Sequence, residues 1–464
     1  MRPAVLLLAC TLALLGADRR VIGLAQDGKT PIEVLLPDGY TGSGGLLLIG
    51  GLNGEDPSSQ DVRAQFEQSN GTLLAIPVAN PNKSALVFPP TGVAYRENAE
   101  SHALWRWIGM HAPDRVRVVG NDPAGLAQAV LRNPIAGIAP GELNRRRART
   151  PRQVADELAK FYGHDFNQLT YLPGMALISQ ARLGRTADVA KLAEPYLDPS
   201  RDTLARASSL TLAGHMVFAE LAKRTKDARY TKLVRAVGDL GFTAAGEMQV
   251  SMPYHGEMSD SYFMAGPITA MAGTLTGERK YFDMAAKHFR FMDTLVLRSD
   301  GLFRHSPLTD AAWGRGNAFP ALGMALALSE FPQDHPGRAY VLDSFRRLMT
   351  TLARYQDADG MWHEIIDQPG SYQEFSATAM IATAMLRGIR KGWLDAAEYQ
   401  PRVDRAWNAV LARIGPDGQL VDVCESTNKQ PTYDDYLRRA AIQGRDERGG
   451  GMALLFATEM AGLE

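Results

Sequence analysis

The chain has 464 residues, 45% of them hydrophobic and 22% charged, with 50 basic against 51 acidic residues and a formal net charge of -1. That length accommodates roughly two to four domains around a large core. The balanced charge excludes the strongly basic character that nucleic acid or an anionic membrane surface selects.

At the N-terminus, Met1-Arg2-Pro3 supplies one charge and Ala4 to Gly16 form an almost unbroken apolar run. The run is too short to span a bilayer and matches the apolar region of a secretory signal. Residues 1–25 are therefore expected to be a signal peptide, cut near Ala17 or Ala25, and the protein to be secreted or periplasmic in a bacterium. Leu7-Leu8-Ala9-Cys10 resembles a lipoprotein box, but the apolar run continues past the cysteine, which favours an unanchored protein. With Cys10 in the signal, Cys424 is the only cysteine left, so no intramolecular disulfide and no cysteine-based metal site is expected.

From about residue 31 to 138, strand-like and helical runs alternate. Residues 32–36, 46–49, 73–78 and 116–119 read as strands, and 58–68, 98–110 and 124–131 as helices. This alternation predicts a small α/β domain over 26–141. Residues 142–152, with Arg145-Arg146-Arg147 and no apolar period, read as a solvated linker. Beyond Pro151 strand signals nearly vanish. Apolar helical segments rich in Gly, Ala and Met begin near Tyr171, Ser208, Ser261, Asn317, Ser376 and Gly449. Amphipathic ones cover about 153–161, 187–195, 228–240, 279–296, 338–354 and 396–413. Asp300-Gly301, Asp359-Gly360 and Asp417-Gly418 each follow an amphipathic segment. Paired helices repeated at this length stack on one another. The expected fold is mainly α: an (α/α)6 barrel over 153–464, with small-residue helices inside and amphipathic helices outside.

In such a barrel the loops entering the inner helices converge on one mouth, and the polar residues gather in those loops. His255 and Asp260 precede the third inner helix, and His305, Trp313, Arg315 and Asn317 the fourth. Trp362, His363, Glu374 and Ser376 precede the fifth. Asp260 is either the cap of the helix that follows it or a carboxyl facing aromatic residues and able to act as a general acid. Glu374 is either a first-turn acid or a ligand contact. His305 and His363 fit structural and functional roles equally, but their spacing does not suit a metal. No metal or cofactor is expected. Arg315 offers a bidentate grip on a carboxylate and Trp313 a flat apolar face, which suits an anionic ring.

These segments together resemble glycoside hydrolase families 88 and 105, the unsaturated glucuronyl and rhamnogalacturonyl hydrolases. The resemblance runs through Asp260-Ser261-Tyr262-Phe263-Met264-Ala265-Gly266-Pro267 and Gly301-Leu302-Phe303-Arg304-His305. It continues in Trp313-Gly314-Arg315-Gly316-Asn317, in Gly360-Met361-Trp362-His363, and in Tyr372-Gln373-Glu374-Phe375-Ser376-Ala377. It implies an (α/α)6 barrel that removes terminal uronic acids carrying a C4=C5 double bond from oligosaccharides. It also implies that Asp260 protonates the enol ether, with His305 assisting. His255, Trp313, Arg315, Asn317, Trp362, His363, Glu374 and Ser376 would then line the substrate site. The family's second aspartate is not matched: Arg206-Ala207-Ser208-Ser209-Leu210 stands in that region, with His215 the nearest imidazole.

Residues 49–57 and 77–81 resemble a zinc carboxypeptidase domain whose zinc histidine is replaced by Asn53, so 26–141 reads as a degenerate relic of that domain. A polysaccharide lyase, a sugar epimerase and a sugar-binding pseudoenzyme are the competing functions on the same toroid.

Overall fold

The computed structural model describes residues 17–132, except 41 and 43, and residues 140–463. The apolar run at 4–16 and Cys10 lie outside the described residues. Contacts divide the chain into two units, Met1–Gly92 with Glu97–Gly141 and Val93–Arg96 with Glu142–Glu464.

The first unit is a five-stranded sheet in the order β1-β2-β4-β3-β5. Its strands are β1 (Ala17–Leu24), β2 (Pro31–Pro37), β3 (Leu46–Ile49), β4 (Leu73–Ile76) and β5 (Arg115–Val118). β3 lies parallel to both β4 and β5, while β2 is antiparallel to β1 and β4. β3 and β4 read Leu-Leu-Leu-Ile and Leu-Leu-Ala-Ile, the continuous apolar pattern of strands covered on both faces. One face packs on α2 (Ala99–His111) and α3 (Leu126–Arg132), through Ala103, Leu104, Ile108 and Leu126. The other packs on α1 (Pro57–Gln68) through Val62 and Phe66. β1, which pairs with β2, falls within residues read from sequence as the end of a signal peptide.

The second unit is an (α/α)6 barrel. Two helices lead into it, α4 (Pro140–Arg147) and α5 (Pro151–Leu158). The linker expected over 142–152 is therefore largely helical. Arg146 donates to the Ala412 carbonyl at 3.0 Å, and Arg149 to those of Leu411 and Ile414 at 3.0 and 2.8 Å. These cations satisfy carbonyls at the end of a later helix, so the segment docks by charge and needs no apolar period.

The inner helices are α6 (Tyr171–Arg182), α8 (Ser209–Gly214) leading into α9 (Met216–Thr225), and α11 (Ser261–Met264) leading into α12 (Gly266–Thr276). α14 (Gly314–Leu328), α16 (Phe375–Arg390) and α19 (Glu447–Met460) complete the set. Each packs on the next, and α19 returns to α6, closing the ring. All residues of α14 are buried, as a helix covered on every side requires. The outer ring is α5, α7 (Thr186–Ala193), α10 (Ala228–Asp239), α13 (Lys280–Val296), α15 (Pro336–Tyr355) and α17 (Ala396–Ala412), each burying one stripe. The three Asp-Gly pairs mark turns whose glycines, Gly301, Gly360 and Gly418, have φ of +89°, +94° and +76°, conformations that exclude most side chains.

One local structure departs from the sequence reading. Between α17 and α19 the chain forms β6 (Leu420–Cys424), α18 (Tyr433–Leu437) and β7 (Ala441–Gly444), the two strands pairing antiparallel around an irregularity at 421–423.

Candidate active site

The loops that enter α11, α14 and α16 are hydrogen-bonded to one another. Ser259 N–H donates to the His305 carbonyl at 2.9 Å, Gly314 N–H to that of Glu364 at 2.6 Å, and Ile366 N–H to that of Ala312 at 2.9 Å. Asn317 completes this brace: its side chain accepts from Phe303 N–H and donates to the Phe303 and Trp313 carbonyls. Expected as a ligand contact, Asn317 is spent on holding the loop. Gly314 is needed for the same crossing, since a Cβ there would meet the His363 carbonyl oxygen at 2.7 Å.

Asp260 does not cap. Its φ and ψ are -51° and -30°, helical rather than extended, and its side chain accepts nothing from the helix that follows. Its Oδ2 instead lies 3.0 Å from Nε2 of the buried His305, out of line for a hydrogen bond, with the Asp260 side chain 17% exposed. The other ring nitrogen of His305, Nδ1, is 2.7 Å from the Tyr436 hydroxyl. Gln430 N–H donates to the same phenol oxygen at 3.2 Å, and burial pushes the Tyr436 hydroxyl up to about 12. The result is a chain from Asp260 through His305 to Tyr436, built from α11, the α13–α14 loop and α18.

Trp313 packs against His305 with ring centroids 4.7 Å apart, and the Arg315 guanidinium lies 5.0 Å from the indole centroid. The indole N–H donates to Glu364 Oε1 at 2.9 Å. With these neighbours and almost no exposure, Trp313 is a wall of the site rather than an open stacking platform. Arg315 is also buried. Its Nη1 donates to Ser376 Oγ at 3.2 Å and to the Cys424 carbonyl at 2.9 Å, while Nε and Nη2 have no hydrogen-bond partner among the described residues. Nε–H and Nη2–H are the two parallel donors of one guanidinium edge, the geometry that receives a carboxylate in bidentate fashion. Tyr171, the first residue of α6, feels the charges of Arg315, Asp260, Arg448 and Asp446, and burial raises its hydroxyl to about 12. Inner helices α6, α11, α14 and α19 thus converge here.

The remaining expected residues support this centre without entering it. Glu374 caps α16: it accepts from Ser376 N–H at 3.1 Å, from Cys424 N–H at 2.9 Å, from Ala377 N–H and from Ser376 Oγ. Those donors occupy both oxygens of a fully buried carboxylate, so it is not a substrate contact. Ser376 bridges Glu374 to Arg315. Trp362 is core, its N–H donated to the Leu352 carbonyl at 2.8 Å. His363 is buried between the Ser371 carbonyl at 2.6 Å and Asp357 at 3.2 Å. Burial opposes its proton, but Asp357 outweighs that and raises its pKa. His255 is half-buried against Phe291, accepts from Glu257 N–H at 3.0 Å, and is shifted down by burial. Where a second aspartate was sought, Ser208 caps α8 and His215 is bonded to the Thr211 carbonyl and the Thr203 hydroxyl. Burial lowers His215 to about 4. Tyr436, Tyr171 and Glu364 were not among the site residues expected from sequence, although Glu364 directly follows two that were, Trp362 and His363.

The model of Glycosyl Hydrolase Family 88 matches residues 186–463. An unsaturated rhamnogalacturonyl hydrolase of Bacillus subtilis is 31% identical over 212 residues, 44% of this chain and 59% of that protein. An unsaturated 3S-rhamnoglycuronyl hydrolase of Formosa agariphila is 26% identical over 181 residues, 35% of this chain and 48% of that protein. The chain thus spans about half the length of these relatives. Among solved structures, a family 105 glycoside hydrolase of C. acetobutylicum superposes with a TM-score of 0.57 at 18% identity, covering 68% of this chain and 99% of the other. At that identity the likeness shows the fold.

Proposed function

Because this chain belongs to Glycosyl Hydrolase Family 88, we propose that it is a glycoside hydrolase that removes terminal C4=C5 unsaturated uronic acids from oligosaccharides. The observation carrying this reading is an uncapped Asp260 held against His305 beside an Arg315 whose Nε/Nη2 edge has no partner. The Arg315 edge receives the uronate carboxylate. Asp260 delivers its proton to C4, the double-bond electrons form the new C4–H bond, and the ring oxygen shares the positive charge left at C5. Water adds at C5 and gives a proton back to the carboxylate. The resulting hemiketal opens and frees the next sugar. A single acid/base suffices, unlike hydrolysis at the anomeric carbon with two carboxylates.

Residues 26–141 we read as a relic of a zinc carboxypeptidase domain. What supports the reading is that the segment resembling a zinc site serves the fold, Glu55 pairing with Arg63 and Asp56 capping α1.

The test is incubation with lyase-generated oligosaccharides while following the ultraviolet absorbance of the enol ether. Loss of absorbance with release of the next sugar is expected, and Asp260→Asn lowers the rate by roughly two to four orders of magnitude. A gain of absorbance from intact polymer identifies a lyase and overturns the reading. Binding without turnover identifies a pseudoenzyme and overturns it equally.

A further inference from the structure

Behind the Trp313 indole lies a carboxyl that the proposed chemistry does not use. Glu364 is fully buried, and its Oε1 accepts from the Trp313 indole at 2.9 Å and from the Cys424 thiol at 3.1 Å. Its Oε2 has no hydrogen-bond partner among the described residues. The ionisable groups that act on it are Glu374 at the head of α16, Cys424 at the end of β6 and Arg315 on α14, and it acts in turn on Tyr372 in the loop before α16. Cys424 is pushed up by burial and by Glu364 itself, and Tyr372 is raised well above the ordinary range, chiefly by burial. Both are therefore neutral in ordinary buffers. The charges that remain are those of Glu374 and Arg315, and they balance.

We propose that Glu364 is a positioning residue that acts as a neutral carboxylic acid, anchoring the Trp313 wall while adding no further negative charge beside Arg315. It rests on the reading that Arg315 receives a uronate. Ionised, Glu364 would set a second carboxylate beside a guanidinium already balanced by Glu374, and the charge immediately around Arg315 would turn from balanced to net negative. An anionic ligand at the Nε/Nη2 edge of Arg315 would then meet added repulsion. Burial, with the Glu374 charge second, raises the Glu364 carboxyl to about 8, which places this change at mildly alkaline pH. A glutamine keeps the oxygen that receives the indole and thiol protons but cannot ionise, so it separates the anchoring role from the charge.

The experiment uses the full chain and two readouts. The first is the indole N–H signal of Trp313 by NMR without ligand. It is expected to shift with a midpoint near pH 8 in the wild type and to stay fixed in Glu364→Gln, because the midpoint is that of Glu364. The second is calorimetric binding of glucuronate between about pH 6 and about pH 9. If only the neutral form binds, the apparent dissociation constant rises about tenfold by one pH unit above the midpoint. In Glu364→Gln it is expected to stay level, with affinity at neutral pH within about twofold of wild type. An indole signal that does not titrate, or titrates equally in both proteins, overturns the proposal even if glucuronate binds. Loss of glucuronate binding in a folded Glu364→Gln at neutral pH also overturns it, since charge or proton would then be required. No binding by the wild type at any pH, with the indole titrating as expected, instead overturns the uronate reading and with it the ligand half of the proposal.

Discussion

A carboxyl kept neutral in the folded state must cost stability as pH rises, and Glu364→Gln isolates that cost. Free glutamate ionises near 4.5, whereas burial first and Glu374 second hold the Glu364 proton to about 8. Between those values the native protein binds a proton that the unfolded chain has released. Stability therefore falls with rising pH across this window, and the whole penalty is present above about 8. Each pH unit in the window is worth about 1.36 kcal/mol, so the loss between about pH 5 and about pH 8 is on the order of 4 kcal/mol. Glutamine keeps the acceptor for Trp313 and Cys424 and loses the titration. Urea unfolding of wild type and variant, followed by tryptophan fluorescence at several pH values, removes the titrations that the two proteins share. The stability of the variant relative to wild type should climb steadily from about pH 5 and level off above about pH 8. A difference that stays flat, or falls as pH rises, refutes a neutral Glu364.

Other changes act elsewhere in the site and the barrel. Arg315→Lys keeps the charge but loses the paired Nε/Nη2 edge, so KM for an unsaturated uronyl substrate should rise roughly 10- to 100-fold with a smaller change in kcat. An equal fall in kcat with KM unchanged would place Arg315 elsewhere in the reaction. Gly314→Ala drives a Cβ against the His363 carbonyl oxygen at 2.7 Å, a backbone atom fixed by the loop pairing. Thermal melts should show a loss of about 1–3 kcal/mol, with activity falling further because Trp313 and Arg315 flank the displaced residue. Burial lowers His215 and His288 each to about 4. The unfolded chain takes up their protons first as pH falls below about 6.5, so their contribution to stability is lost between 6.5 and 4. Their imidazole resonances should hold neutral positions until about pH 4; titration of either near 6.5 contradicts this.

The barrel was legible because its information is periodic and local. Inner segments such as Gly314–Leu328 carry small and apolar residues on every face, while the outer segments carry a stripe, and only a two-layer ring satisfies both at once. The roles of single carboxylates were not legible, because the same local pattern serves opposite ends. Asp260 and Glu374 both stand just before an inner helix. Their chemistry is divided by backbone conformation: ψ is 121° at Glu374, which turns its side chain back onto the helix N–H groups, and -30° at Asp260, which turns it away toward His305. No residue type announces that difference. The role of Tyr436 was hidden for another reason. It reaches His305 across 131 positions of sequence, from a strand–helix–strand insertion that follows no helical repeat. Glu364 was concealed by its neighbour, since a Trp-His-Glu run draws attention to the histidine. The structure reverses that emphasis: His363 is occupied by Asp357 and a carbonyl, while Glu364 holds the indole that packs against His305. What sequence periodicity locates is the mouth of the toroid; which acid at the mouth is available for chemistry is decided by backbone dihedrals and by which buried atoms are left without partners.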